Sequence, residues 1–361
     1  MMLKRLIDSD PNSLKRHAVV SLTSLGKIGK MLEEKGVVVY ALNMKSFRDF
    51  FKILLKLKKL ILEIRPGIIQ TWMYHADLIG GISARLAGKK EIIGGIRQTS
   101  FSPGDSRATY MVMRACAVFS WWIPKAIVCC AESARKSHIA YGFDSRKMKV
   151  ITNGFDVERF VENHASREQL RSELGYGASN KVIGIIGRFD AAKDHHNFIR
   201  AAAHVAKMHP EARFMMVGRN LDANNKILMD WIQKTGYADY FMLLGERDDV
   251  PACLSAMDIF CLSSEQEGFP NVVGEAMASG LPCVVTDVGD AAVLVDATGI
   301  IVPPKDSTAL ANGLLKMLAL DDHQYQEFSL MAKNRIQERF TMPKIREQFE
   351  LLYREVCNEK D

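Results

Sequence analysis

A strand–loop–helix–strand unit in the second half of the chain constrains the fold more than any other stretch. The apolar run Ile259–Leu262 predicts a buried strand, and the polar cluster that follows it predicts a loop. A helix over residues 272–279 is expected next, with Asn271 as its cap and Gly280 as its left-handed stop. The apolar run 282–286 then predicts another strand. Units of this kind build parallel sheets that carry helices on their faces.

The loop and the helix start in this unit carry groups that suit a nucleotide sugar. Gly268 lets the backbone approach a ligand, and a helix start favours anions such as phosphate. Glu267 precedes the helix and Glu275 lies one turn inside it. Two carboxylates repel phosphate, but they can bind hydroxyl groups. A nucleotide sugar carries a diphosphate for the helix start and hydroxyl groups for the carboxylates. Taken alone, such a Glu pair is more often a loop charge and a partner for the helix dipole.

The stretch from residue 258 to residue 282 resembles the Glu-x7-Glu signature of the family 4 (group 1) glycosyltransferases. Glu267 and Glu275 stand at its two acid positions, and the surrounding Asp-Ile-Phe-Cys-Leu-Ser-Ser, Glu-Gly-Phe-Pro-Asn and Glu-Ala-Met-Ala-Ser-Gly-Leu-Pro segments match as well. The resemblance implies an α/β chain of the GT-B fold, with two facing Rossmann-like doubly wound domains and a cleft between them. It also implies transfer of a hexose-type sugar from a nucleotide-diphosphate donor to a hydroxyl acceptor, with retention at the anomeric carbon.

The domain organisation is predicted from the same resemblance. Residues 1–157 would form an N-terminal acceptor-side Rossmann-like domain, and residues 158–341 a C-terminal nucleotide-sugar-binding one. Residues 342–361 would form a helix that returns to the first domain. The turn Asn153-Gly154-Phe155-Asp156 resembles the family's crossover between domains, and residues 161–180 are a polar connector. Residues 1–8 predict only the latter part of a helix, so the first strand and a glycine-rich turn are expected to be missing, which puts the activity of this form in question.

A second loop carries the cations that a diphosphate needs. It follows the apolar run 182–186, contains Arg188 and Lys193, and leads into a helix that Asp194 can cap. Arg can bind phosphate through two parallel contacts and Lys acts as a mobile point charge. The dinucleotide pattern Gly-x-Gly-x-x-Gly is absent, and a salt-bridged surface loop is the alternative interpretation. In the resembled family the phosphate-binding Arg and Lys match Arg188 and Lys193.

The resemblance implies catalytic roles for Arg188, Lys193 and Glu267, and a ribose-binding role for Glu275. Gln98 stands where the family often has a His that orients the sugar, but it cannot carry a proton, and His75, which also comes just after a predicted strand, is a candidate to contribute instead. A lone His at a helix start is otherwise structural. Residues 241–250 resemble the segment where family members hold the nucleobase, largely by backbone atoms, so the resemblance implies either a UDP- or a GDP-sugar. The remaining predicted substrate contacts are Gly187, Gly245, Arg247, Gly268, Phe269, Pro270, Asn271 and Val272.

The net charge of +6 conceals an uneven distribution. Residues 1–150 hold 26 Lys and Arg against 11 Asp and Glu, a balance of +15, and the rest hold 22 against 31, a balance of −9. The positive charge of residues 1–150 is explained either by a solvated basic surface or by binding to nucleic acid or to an anionic membrane. With no nucleic-acid motif present, the prediction is a lipid-linked saccharide acceptor in cell-surface polysaccharide synthesis. The basic amphipathic helix expected over residues 45–64 is compatible with membrane contact, although a core-facing helix with a solvated side is simpler.

Cysteine usage and the lack of a targeting signal predict a cytoplasmic protein, and a peripheral position on the cytoplasmic face of the membrane is compatible with this prediction. The seven cysteines form no Cys-x-x-Cys pair, and no signal peptide or membrane-spanning run is present. No metal and no cofactor are expected, because the only Asp-x-Asp, Asp8-Ser9-Asp10, lies in a turn and no His/Cys cluster occurs. Two other classes stay open: a catalytically silent nucleotide-sugar-binding protein or partner subunit, and a GT-B nucleotide-sugar epimerase.

Overall fold

The computed structural model describes residues 2–12, 16–99, 106–160 and 164–358. Residues 161–163 of the predicted connector and residues 359–361 of the predicted terminal segment lie outside the described residues. The helices in chain order are α1 (Met2–Asp8), α2 (Gly26–Glu33), α3 (Phe50–Ile64), α4 (Tyr74–Leu86), α5 (Arg107–Phe119), α6 (Glu132–Ala140), α7 (His164–Glu173), α8 (His195–Met208), α9 (Lys226–Gln233), α10 (Val250–Ala256), α11 (Asn271–Ala278), α12 (Ala291–Val295), α13 (Ser307–Leu318), α14 (Asp322–Arg339) and α15 (Met342–Asn358).

The strands alternate with these helices and follow the sequence prediction closely. They are β1 (Ala18–Ser21), β2 (Val38–Ala41), β3 (Ile69–Gln70), β4 (Ile92–Ile96), β5 (Ala126–Cys129), β6 (Met148–Val150), β7 (Lys181–Ile186), β8 (Ala212–Val217), β9 (Phe241–Leu243), β10 (Ile259–Leu262), β11 (Cys283–Thr286) and β12 (Gly299–Val302). The bounds of β10 are as predicted, and the ladders between these strands are parallel. The α/β fold class is confirmed.

The predicted basic helix over residues 45–64 begins later than expected, at Phe50. The Asp49 carboxylate accepts hydrogen bonds from the backbone amides of Lys45 and Ser46, at 3.0 and 3.1 Å. These bonds hold the preceding residues in a turn, because the amides bind a side chain instead of helical carbonyls. Within the described residues, no helix combines the length and the apolar character that crossing a lipid bilayer requires.

One compact unit, here called unit 1, consists of Met1–Gly154 and Met342–Asp361. It contains the parallel pair β1–β2 and a four-stranded parallel sheet in the order β3-β4-β5-β6. No ladder within the described residues joins these two sheets.

Helices cover both faces of the four-stranded sheet of unit 1, as neighbouring residues of β4 show. Ile92 packs in a buried cluster with Ile53 of α3, and Ile93 packs in a different cluster with Leu6 of α1 and Phe349 of α15. Successive side chains of a strand point to opposite faces, so the sheet is the middle of three layers. Because helices cover both faces of the sheet, polar groups can gather at the carboxyl ends of the strands and in the loops after them.

The second unit, unit 2, consists of Phe155–Thr341 and is built on one six-stranded parallel sheet. Its strand order is β12-β11-β10-β7-β8-β9, so the chain runs from β7 to one edge and then from β10 to the other. The direction of winding reverses between the adjacent strands β7 and β10. In open parallel sheets, ligands bind beyond the carboxyl ends of the strands at such a reversal. The loops after β7 and β10 are therefore the first place to examine for a site.

Candidate active site

The loops that follow β7 and β10 are joined by hydrogen bonds at the point where the winding reverses. The backbone carbonyl of Ala192 accepts from the amides of Glu265 and Gln266, at 2.8 and 3.2 Å. The Ser263 hydroxyl donates to the carbonyl of Lys193 at 2.9 Å. These contacts fix the two loops against each other, so side chains from both can act on one ligand.

Lys193 and Glu267, two of the three predicted catalytic residues, form an ion pair across these loops although they are 74 residues apart. The Lys193 Nζ lies 2.6 Å from Oε1 of Glu267, and the side chains are only 21% and 11% exposed. The Ser264 hydroxyl donates to the same oxygen at 2.7 Å. Because the carboxylate is held by two donors in a half-buried position, it fixes the ammonium group at the carboxyl edge of the sheet.

The turn that carries Lys193 is shaped by two capping carboxylates. Asp190 accepts from the amide of Ala192 at 3.0 Å, and Asp194 accepts from the amide of Asn197 at 3.1 Å. The second bond is the cap of α8 that the sequence predicts. Each bond occupies an amide that the helix itself leaves without a partner.

Arg188 is more exposed than Lys193 and is paired within its own loop. Its Nε donates to Asp190 Oδ2 at 2.9 Å, and its side chain is 59% exposed. Burial acts to raise the pKa of Asp190, but the Ala192 amide and the Arg188 guanidinium outweigh it and lower that pKa below its ordinary value. Asp190 is therefore charged at neutral pH and holds Arg188 near the loop, with much of the guanidinium still accessible.

The start of α11 differs from the prediction. Asn271 is not the cap but the first helical residue, and it is exposed. Pro270 occupies the cap position with an extended backbone, and its carbonyl accepts from the amides of Val273 and Gly274 at 3.1 and 3.4 Å. A proline fits there because its fixed φ suits the cap and its missing N–H is not needed. Gly280, with φ of +80°, ends the region as predicted.

The loop before α11 is braced from the neighbouring turn after β11. The amide of Asp290 donates to the carbonyl of Gly268 at 2.9 Å. Gly289 has φ of +58°, and a Cβ there would lie 2.4 Å from the carbonyl oxygen of Glu267 and 2.5 Å from that of Gly268. Only glycine fits such a close approach. The backbone that presents Glu267 is thus held from two sides.

An aromatic cluster supports the same loop from inside the protein. The Phe269 ring is buried and lies with its centroid 6.2 Å from that of Phe155 and 5.8 Å from that of Phe340. Phe155 in turn packs on Gly274 of α11, where a Cβ would lie 2.0 Å from its Cζ. Phe155 and Gly274 were not predicted as site residues, although a glycine inside a helix is a signal of close packing. Phe269 and Pro270 are buried, so contact with a substrate there would use their backbone atoms.

The other predicted contacts in unit 2 lie at different distances from the reversal point. Glu275 and Val272 are half-buried on α11, and Gly187 directly follows β7. Gly245 and Arg247 follow β9, the edge strand, two strands away from β7. The Arg247 guanidinium donates to both oxygens of Asp249, at 2.8 and 2.5 Å, and this pairing raises the pKa of Arg247.

The two predicted contacts in unit 1 are placed at strand ends. His75 is exposed in the first turn of α4, and Gln98 is half-buried just after β4. Within the described part of the chain, no group of three or more His, Cys, Asp or Glu side chains is arranged to hold a metal ion.

Two family models match the chain. Residues 180–320 match the model described as Glycosyl transferases group 1, and residues 15–159 match the model described as Glycosyltransferase Family 4. The reversal point of unit 2, with its paired Lys and Glu, lies inside the first match. The chain belongs to the family 4 (group 1) glycosyltransferases.

Among curated proteins, the chain is similar to an Escherichia coli UDP-Gal:alpha-D-GlcNAc-diphosphoundecaprenol alpha-1,3-galactosyltransferase. The two are 26% identical over 316 residues, which is 86% of this chain and 81% of the relative. It is also 24% identical to the capsular polysaccharide biosynthesis glycosyltransferase CapM of Staphylococcus aureus, over 92% of this chain and 89% of that one.

Among solved structures, the chain resembles Anabaena HepE in complex with UDP. The TM-score is 0.85 at 24% identity, covering 97% of this chain and 95% of HepE. The HepE complex with UDP-glucose gives a TM-score of 0.83. The match shows the shared fold, that of the GT-B glycosyltransferases with two Rossmann-like domains.

Proposed function

We propose that this protein transfers a hexose-type sugar from a nucleotide-diphosphate donor to a hydroxyl acceptor, with retention at the anomeric carbon. The observation that carries the proposal is the Lys193–Glu267 pair, 2.6 Å long, at the winding reversal of unit 2 beside the start of α11. A cation, a carboxylate and helix amides meet there, and a sugar linked to a diphosphate needs all three.

Each group has a role in this reaction. Lys193 and Arg188 stabilise the diphosphate as negative charge develops on it during departure, together with the first amides of α11. Glu267 binds hydroxyl groups of the transferred sugar, and Glu275 binds the ribose. No side chain is assigned as a nucleophile. Because two cations and a helix start serve the leaving group, the proposal includes metal independence, and activity is expected to persist in a chelator.

The proposed acceptor is a lipid-linked saccharide of a cell-surface polysaccharide, and the proposed donor is a UDP-sugar. The Escherichia coli relative is named for a UDP-Gal donor and a diphosphoundecaprenol-linked acceptor, and HepE was solved with UDP-glucose. A GDP-sugar donor is the alternative, to be compared directly.

Donor binding is expected to depend on Glu275 and not on a neighbouring carboxylate. A saturating UDP-sugar should raise the melting temperature, since ligand at about 100 times its Kd adds roughly 2.7 kcal/mol to the free energy of unfolding. Glu275→Gln should weaken binding of UDP and of UDP-sugars alike, measured by calorimetric titration. Glu265→Gln is the matched control, because Glu265 lies in the loop before α11 and pairs with Lys305.

Transfer is tested with UDP-Gal, UDP-glucose and GDP-sugars and with an α-GlcNAc diphosphate alkyl acceptor, and the product linkage is read by NMR. An α-linked product supports the proposal. Donor binding without transfer would instead identify a silent binding protein, and interconversion of free nucleotide sugars without acceptor would identify an epimerase. A β-linked product would contradict retention.

We further propose that unit 1 attaches to the surface of an anionic bilayer, on the cytoplasmic face, through α3. Phe51, Leu55 and Leu62 are 76%, 62% and 50% exposed, and at 3.6 residues per turn they lie within roughly 40° of one another. The opposite side of α3 is buried in the core. Exposed lysines flank the stripe at positions 52, 56 and 59, and Trp122 is exposed just beyond α5. Apolar side chains, lysines and tryptophan are the groups that bind at an anionic lipid surface.

The protein is expected to sediment with vesicles of phosphatidylcholine and phosphatidylglycerol but not with phosphatidylcholine alone. Replacing Lys52 and Lys56 with Gln should weaken binding by about 1 kcal/mol per lysine, and a Phe51→Ser, Leu55→Ser double variant should abolish it. Ile227→Ser is the control, since Ile227 is 57% exposed on α9 of unit 2. Binding that is equal on both vesicles, or unchanged in the variants, would contradict the proposal.

A further inference from the structure

Polar side chains gather at the carboxyl ends of the four-stranded sheet of unit 1, and Arg97 is at their centre. Arg97 directly follows β4, and its Nη1 donates to Oδ1 of Asn153, which follows β6, at 3.1 Å. Its guanidinium carbon lies 4.3 Å from the ring centroid of Trp72, which follows β3. The Nε and Nη2 atoms of Arg97 are buried and have no hydrogen-bond partner among the described residues.

A buried guanidinium that makes one hydrogen bond is unusual, because burial without pairing costs free energy. Burial lowers the pKa of Arg97, although an arginine remains protonated in proteins. Within the described residues no carboxylate forms an ion pair with it. The Trp72 face and the Asn153 oxygen hold the side chain but do not neutralise it.

The nearby carboxyl group, Asp77, is committed elsewhere. Its Oδ1 accepts from the Thr71 hydroxyl at 2.5 Å and from the amide of Gly95 at 3.1 Å. Burial raises the pKa of Asp77 to about 7, so at neutral pH it carries only part of a negative charge. Because Asp77 is held by Thr71 and Gly95, it forms no ion pair with Arg97 among the described residues.

Other unpartnered groups in the same region are also donors. Within the part of the chain that the structure describes, the Thr99 hydroxyl and the Nε2 atom of Gln70 are buried without a hydrogen-bond partner, while Oε1 of Gln70 accepts from Tyr353 at 2.5 Å. An ordered water could satisfy some of these donors, but it is neutral and would leave the charge of Arg97 uncompensated. A group with several acceptor oxygens and a negative charge complements the cluster, and phosphate has both.

We propose that Arg97, with Thr99, binds a phosphate group of the acceptor substrate at the carboxyl end of the unit 1 sheet. The proposal rests on the proposed function and specifies its acceptor: a saccharide joined to its carrier through phosphate or diphosphate. Arginine suits this role because its planar fork makes two parallel bonds to phosphate. Because Nε and Nη2 of Arg97 are enclosed, the side chain has to rotate before it can bind a phosphate group. This rotation breaks the hydrogen bond to Asn153.

The test compares the activity of the protein towards two acceptors. The first is the α-GlcNAc diphosphate alkyl acceptor, and the second is the alkyl glycoside of the same sugar without phosphate. Wild type is expected to prefer the diphosphate acceptor by about 10- to 100-fold in kcat/KM, the effect of a hydrogen-bonded charge. Arg97→Gln should remove that preference and leave the donor KM unchanged. Arg97→Lys should keep part of it, and Arg114→Gln, which removes an exposed charge of unit 1, should keep all of it.

A binding measurement without donor separates this proposal from the proposed function. An alkyl diphosphate and inorganic diphosphate are titrated into wild type, Arg97→Gln and Lys193→Ala. Loss of alkyl diphosphate binding in Arg97→Gln alone supports the acceptor site, whereas loss only in Lys193→Ala places the anion at the donor site and overturns it. Binding of inorganic diphosphate alone would also overturn it. If the Arg97 variants do not fold, equal use of both acceptors by wild type is sufficient to reject the proposal, and absence of any transfer rejects the proposed function instead.

Discussion

Replacing Lys193 with alanine is expected to lower kcat/KM for the donor by about 10²–10³-fold, the effect of removing one preorganised group that stabilises developing charge. Two losses combine. The diphosphate loses a cation at its departure, and Glu267, only 11% exposed, is left with the Ser264 hydroxyl as its remaining donor at that oxygen. Steady-state kinetics with varied donor measure the effect, and the fall should be mainly in kcat because the charge is greatest in the transition state.

A second Lys–Glu pair on the same loop gives the matched control. Lys305 pairs with Glu265, two residues before Glu267. Lys305→Ala removes the same charge and breaks a similar pair, but at a more exposed position, and it should change kcat/KM by no more than about threefold, in line with surface pairs. If Lys193→Ala and Lys305→Ala have equal effects, Lys193 has no special role and the donor site is wrongly placed.

Gly274→Ala is expected to raise the donor KM by about tenfold and to destabilise unit 2 by about 1–3 kcal/mol, the usual cost of overpacking. The added Cβ would lie 2.0 Å from Cζ of Phe155 and 2.4 Å from its Cε2, and Phe155 is fully buried. Neither a rigid ring nor a helix backbone can yield without moving the next residue, Glu275. The substitution is therefore expected to weaken donor binding by displacing the Glu275 side chain, which is not itself mutated.

A rescue experiment distinguishes this mechanism from general damage. Phe155→Leu alone leaves a cavity and should also be destabilising. In the double variant the added methyl group occupies part of that cavity. The double variant should therefore lose less free energy of unfolding than the two single variants lose in sum, and its donor KM should return towards the wild-type value. Gly177→Ala is the control, because its Cβ would have only the Asn180 side chain within 4 Å, at 3.8 Å. Strict additivity of the two changes would contradict a direct Phe155–Gly274 contact.

The sequence predicted the elements and the chemical types well because both are encoded locally. The apolar runs and the capping residue Asp194 lie within a few positions of the structure they specify, and the cap of α8 is present as expected. The start of α11 was misplaced by one residue, since Asn271 is a good cap by composition while Pro270 satisfies the backbone geometry.

Pairings between distant segments could not be predicted. Lys193 and Glu267 each had an assigned role, but their contact depends on β7 and β10 being neighbours, and strand order is set by the packing of the whole sheet. The fit of Phe155 against Gly274 depends in the same way on tertiary packing. Arg97 was not assigned a role, because the sequence does not reveal that its guanidinium makes one hydrogen bond among the described residues.

The salt bridge at the reversal point also bears on selectivity in a cell that contains abundant inorganic phosphate. Lys193 already has a carboxylate partner, so a small free anion would have to replace Glu267 beside the ammonium group. The free energy gained by such an exchange of one ion pair for another is expected to be small. A nucleotide sugar adds its ribose, its base and its hexose to the same exchange, and these supply the free energy that the bare anion lacks. At the proposed donor site, we therefore expect the pair to lower the affinity for simple anions relative to that for a nucleotide sugar.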